Sequence, residues 1–158
     1  MHPLECYRKS YQIVPSFREG HRRAALACLA LKDYPAAIDE MEECDKKVGV
    51  DPVKVKQRCD ELRRAFEAGG ESGYWLKRLD QARATLNSDD EPYAFARIYA
   101  YLGDKDQAFY WLERAYARHD ELIYLIIDEC WDPWRDEARF EEIQKKVGLP
   151  RHPNFPAR

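Results

Sequence analysis

Glycine is scarce in this chain of 158 residues: seven are present, and most stand between periodic segments. That is the distribution of helices joined by short turns, with strands absent. Long apolar runs are missing as well. The longest, Leu122 to Ile127, sits among acidic residues and falls far short of the roughly 18 residues a membrane helix needs. The first residues, Met1-His2-Pro3-Leu4-Glu5-Cys6, have neither the basic segment nor the apolar core of a secretory signal, so the expected location is the cytoplasm. Five cysteines, an odd number without a Cys-x-x-Cys pair, fit neither a disulfide framework nor a zinc site and read as reduced thiols. An excess of basic charge is also lacking. With 26 basic and 29 acidic residues the formal net charge is -3, which argues against a general nucleic-acid binder. No hydrolase elbow, P-loop, dinucleotide fingerprint or His-Glu-x-x-His motif occurs, so no enzyme activity, cofactor or metal is expected.

What is present is a helical vocabulary. Hydrophobic residues make up 45% and charged residues 35%, enough for one domain with a continuous core. Ser16-Phe17-Arg18-Glu19 is a capping box. Asp51-Pro52 and Asp132-Pro133 each put an acid at a cap and proline where its missing N–H costs nothing, and Asp33 and Asp104 cap further helices. These signals predict helices near 4–13, 17–31, 34–48, 52–68, 73–86, 90–102, 105–118, 121–128 and 136–147.

Two stretches 71 residues apart carry one pattern. Ala25, Leu31, Asp33, Ala37, Met41 and Cys44 return as Ala96, Leu102, Asp104, Ala108, Leu112 and Ala115. Each describes a helical hairpin closed at Lys-Asp or Gly-Asp whose two helices press together through small side chains. A hairpin of this size cannot bury both faces alone, so copies are expected to stack. The spacing is near two periods of a 34-residue repeat, lengthened by Gly69-Gly70-Glu71-Ser72 in a middle hairpin.

These residues resemble the tetratricopeptide-repeat family. Ala25, Ala37 and Cys44, with Met41 as the large residue and Tyr34 at the turn, match its pattern once, and Ala96, Gly103, Ala108 and Ala115, with Leu112, match it again. Lys32 stands where the family has glycine, and the middle hairpin keeps only Cys59 of the small residues. The region from Gly69 through Tyr116, with the run Ile127-Asp128-Glu129-Cys130-Trp131-Asp132-Pro133-Trp134-Arg135, is similar to the C-terminal repeats of multidomain bacterial signalling proteins. The resemblance implies an all-α, right-handed superhelix of stacked antiparallel helix hairpins over residues 1–150: a partial leading repeat 1–15, repeats at 16–50, 51–88 and 89–120, sealing helices in 121–148, and a loose tail 151–158. It further implies a non-enzymatic scaffold that binds an extended, acidic segment of another protein or of an attached domain, with no nucleic acid and no membrane as partner. The alternative it implies is a regulatory or sensor region of a larger bacterial transcriptional regulator, kinase or cyclase.

In this family one face of each first helix lines a concave groove. Carried over residue by residue, the groove would hold Glu19, Arg22, Leu26, Leu29 and Ala30, then Val53, Lys56, Asp60, Arg63 and Arg64, then Asp90, Tyr93, Arg97, Ala100 and Tyr101. Five basic residues stand against three acidic ones there, opposite in sign to the chain as a whole. The peptide-binding residues so implied are Arg22, Leu26, Leu29, Lys56, Asp60, Arg63, Tyr93, Arg97 and Tyr101, guanidinium groups beside tyrosines that suit carboxylates. The bland alternative is an ordinary charged helix face. His21 reads as a core-edge histidine or a ligand, Cys28, Cys44 and Cys59 as packing residues or reactive thiols. The aromatics Tyr110, Trp111, Tyr116, Trp131 and Trp134 read as core or as a binding platform.

Overall fold

The computed structural model of the chain describes residues 18–85, 91–120 and 122–150, with isolated positions 5, 7, 9, 13 and 14. Among the described residues every regular element is helical. They are α1 (Arg18–Ala30), α2 (Tyr34–Lys47), α3 (Pro52–Thr85), α4 (Pro92–Tyr101), α5 (Lys105–Ala117), 3-10 turns at Leu122–Tyr124 and Glu129–Trp134, and α6 (Ala138–Val147). The fold class is all-α. The helix expected over 4–13, the capping box at Ser16 and the tail from Arg151 lie wholly or mostly outside the described residues. The chain divides into two compact units, residues 1–77 and 78–158.

In the first unit α1 turns into α2 at Lys32-Asp33. Lys32 adopts a left-handed conformation with φ of 59°. Its N–H reaches the Leu29 carbonyl (2.9 Å), and the next amide, of Asp33, reaches back to Cys28 (2.9 Å), closing the helix end. The Asp33 carboxylate then accepts the Ala36 N–H at 3.2 Å and opens α2. In the second unit the turn between α4 and α5 repeats this bond for bond, 71 residues on. Gly103 has φ of 75°, Gly103 N–H reaches Ala100 (3.1 Å), Asp104 N–H reaches Tyr99 (3.0 Å), and Asp104 caps Gln107 at 3.1 Å. The sequence repeat is therefore a repeat of hydrogen bonds. Lys32 carries a left-handed strain of about 1 kcal/mol that glycine would not. Lys32→Gly should raise the urea midpoint, since the exposed Lys32–Glu71 pair at 3.2 Å contributes little. Gly103→Ala, which meets no atom within 4 Å, should lower it by about as much.

Small residues close both hairpins. Ala37, Ala96, Ala108 and Ala115 have no exposed surface, and Ala25 almost none. Ala37→Leu or Ala108→Leu should each cost roughly 1 to 3 kcal/mol by overpacking the crossing, read as a lower denaturant midpoint.

The first unit is centred on Tyr34. Its ring stacks on Phe66 at 5.0 Å, leans on Tyr74 at 4.9 Å, and its hydroxyl accepts the Trp75 indole N–H at 3.2 Å. These partners come from both arms of α3, which folds back on itself at Gly70 (φ 59°, ψ -145°), a conformation open to glycine. The break predicted between helices 52–68 and 73–86 is this one residue, with helix on either side. The arms approach so closely that Gly73 has no room for a side chain.

The second unit packs Phe109 against Trp131 (6.0 Å) and Trp134 (6.1 Å), which also touch each other at 6.2 Å, with Phe140 on Trp131 at 5.8 Å. Of the predicted helix 121–128, the described residues 122–128 form a 3-10 turn followed by further hydrogen-bonded turns instead. Leu122 and Leu125, three apart, are both buried while Ile123 and Ile127 stay exposed, a period of three that fits a 3-10 turn. Trp131 and Phe109 are thus core, and Trp134 is partly buried against them.

Candidate binding surface

Tyr93, Arg97 and Tyr101 recur every four residues on α4 and share one of its faces. Pro92 begins the helix without an N–H to satisfy, and the Tyr93 N–H is taken by the Asp120 carboxylate at 3.1 Å. Against this face lies the irregular segment that follows α5. The Tyr93 hydroxyl donates to Asp128 Oδ2 at 2.6 Å. Arg97 Nε stands 3.1 Å from the same oxygen, close enough for an ion pair though not aligned for a hydrogen bond. The Trp131 indole N–H reaches the Tyr93 hydroxyl at 3.4 Å. Buried Arg135 fixes the segment from behind. It donates to the Leu125 carbonyl (3.3 Å), the Asp128 carbonyl (3.0 Å) and the Asp132 carboxylate (2.6 Å).

The electrostatics follow from burial around one ion pair. Desolvation by itself would lower the Arg97 pKa, but the Asp128 charge overrides it and the guanidinium stays charged. Burial, then the Asp128 charge, pushes the Tyr93 phenol well above its ordinary range. Burial also raises Tyr101 and the Cys130 thiol, so Cys130 is a thiol and not a thiolate. The face can do one thing chemically: hold a carboxylate between a phenol and a guanidinium. In this chain that carboxylate is its own.

The residues carried over to the first unit fall in different settings. Arg22 makes a two-pronged contact with Glu19 at 2.6 and 2.8 Å; Leu26 is half-buried and Leu29 buried. Arg63 ties α3 to α2, donating to Asp39 (2.6 Å) and Glu42 (2.7 Å) as well as Asp60 (3.0 Å). Through that bond it holds the Glu42 carboxyl below the usual range. Lys56 pairs with Asp60 at 2.8 Å, one turn along. Val53, Lys56, Asp60 and Arg64, with Pro52 and Gln57, line an open depression of about 490 Å³ along the first arm of α3. Arg64 makes no ion pair or hydrogen bond with any described residue.

His21 is buried with its Nδ1 2.8 Å from Glu40 Oε2, joining α1 to α2. Cys28, Cys59 and Cys130 are buried and Cys44 half-buried, all as free thiols. Burial lifts the Cys59 pKa to about 11, away from nucleophilic use. Among the described residues no three His, Cys, Asp or Glu side chains group as a metal site, and no helix is long and apolar enough to cross a membrane.

Sequence reasoning missed the partners: Asp128 for Tyr93 and Arg97, Asp120 for the first turn of α4, Asp39 and Glu42 for Arg63. The only signal was the acidic run around Asp128, read as part of a C-terminal motif. Compared with protein-family models, with curated proteins and with solved structures, the chain has no significant match.

Proposed function

We propose that this chain is a non-enzymatic interaction module of the tetratricopeptide type, which holds an extended acidic segment of another protein or of a longer parent chain. One observation carries the reading: a helix face that reads from sequence as a carboxylate-binding face has a carboxylate on it, presented by an irregular stretch of chain against Tyr93 and Arg97. The bond-for-bond repeat of the two hairpin turns supports the repeat architecture behind it. A partner that used the α4 face would have to displace Asp128 together with the fully buried Trp131 beside it, so a partner is better served by the open face at the start of α3.

The test is an unbiased selection from a display library of random linear peptides against the whole chain. Enrichment of acidic sequences, with affinity that falls as salt rises, is the expected result. Selection of peptides without acidic residues, or no enrichment, overturns the reading.

A further inference from the structure

The first arm of α3 combines an exposed apolar residue, an internally paired middle and a cation unpaired among the described residues along one face. Val53 is 74% exposed, more than any other large hydrophobic residue of α1 to α6. Val50, in the turn just before, is exposed too. Eleven residues on, close to three full helical turns, the Arg64 guanidinium lies on the same face and finds no described partner. Glu67, one turn further, is exposed and does not pair with it. Between the two ends Lys56 and Asp60 neutralise each other at 2.8 Å. The adjacent Arg63 is committed to Asp39, Glu42 and Asp60. The depression thus has an apolar end, a neutral middle and one uncommitted cation at the far end.

Length converts this pattern into a ligand. At about 1.5 Å per residue the helix puts roughly 16 Å between Val53 and Arg64. An extended chain covers that distance in about five residues. We infer, resting on the interaction-module reading above, that the partner segment carries an aliphatic side chain and a carboxylate about five residues apart, laid along α3 with the aliphatic group on Val53 and the carboxylate on Arg64. The uncommitted guanidinium selects an acid because its paired N–H groups match a carboxylate's two oxygens. The apolar end fixes the direction in which the segment runs.

The experiment titrates the full chain, ¹⁵N-labelled, with the peptide Leu-Ser-Gly-Ser-Gly-Glu, blocked at both ends, up to millimolar concentration. Comparison peptides have Gln for Glu, or a single Ser as spacer. Saturable shifts at the amides of Val53, Lys56, Gln57, Asp60 and Arg64 are expected, weakened about tenfold by the Gln peptide and by Arg64→Gln, and weakened by the short spacer and by Val53→Ser. Both substitutions are at exposed positions and should leave the denaturant midpoint essentially unchanged. If peptides from the display selection bind but this probe does not, or if Arg64→Gln and Val53→Ser leave the probe's affinity unchanged, the inference falls while the module reading stands. If neither the probe nor any selected acidic peptide binds, both fall.

Discussion

Gly73→Ala should destabilise the chain by roughly 3 kcal/mol or more, a large loss for the addition of one methyl group. A Cβ built at position 73 lies 2.2 Å from the carbonyl oxygen of Ala65 and 3.2 Å from its carbon. Both are backbone atoms of the opposing arm of α3, so no side-chain rotation can make room. Relief requires the arms to part, and that pulls Tyr74 and Trp75 from Tyr34, whose ring they flank at 4.9 and 6.5 Å. The residue's helix propensity acts in the other direction, since alanine is about 1 kcal/mol better than glycine in a helix interior. A fall in urea midpoint therefore reports the close approach itself. A midpoint equal to or above that of the unsubstituted chain would mean the arms are not packed this closely. Gly69→Ala, where a Cβ meets nothing within 4 Å, serves as the control and should change stability little or raise it.

Arg97→Glu should cost roughly 3 kcal/mol or more, the second large effect. The change removes the cation that faces Asp128 and sets a second carboxylate beside it, where the Asp128 side chain is only 14% exposed and that of Arg97 25%. A buried ion pair adds little net stability over an apolar pair, yet breaking one from one side leaves an uncompensated charge. That asymmetry supplies the discriminating variant. Arg97→Met combined with Asp128→Asn removes both charges and should recover most of the loss, with the Tyr93 hydroxyl still able to donate to the amide oxygen. If Arg97→Glu unfolds at the same urea concentration as the parent chain, Asp128 is not seated on α4. Charge reversal at this position therefore reports stability and cannot serve as a clean test of partner binding. Reversal at Arg64 can.

Local chemistry was legible and distant partnership was not. The turns at Lys32-Asp33 and Gly103-Asp104 follow from a left-handed residue and an acid that caps the next helix, all within six residues, and the alanines at the crossings follow from spacing on one helix face. The break in α3 was visible in Gly69-Gly70, although only Gly70 reverses the chain. By contrast, the Asp120 cap on Tyr93 spans 27 residues, the Asp128 contact with Tyr93 spans 35 and the Arg63 tie to Asp39 spans 24. With 29 acidic residues to choose from, pattern alone cannot say which carboxylate meets which cation. The segment after α5 misled for a related reason. Leu122 to Ile127 is apolar enough for a helix, but Asp128 and Arg135 give the backbone carbonyls and the α4 face partners that an α-helix there would forgo.

The second hairpin's face is closed by the chain's own carboxylate, and the start of α3 is the site proposed for a partner. Hydrogen–deuterium exchange of the full chain, with and without a saturating display-selected acidic peptide, measures this directly. Added protection should appear in residues 52–64, with exchange in 92–101 and 125–135 unchanged. Protection centred on 92–101, with faster exchange in 125–135 as Asp128 is displaced, would contradict it.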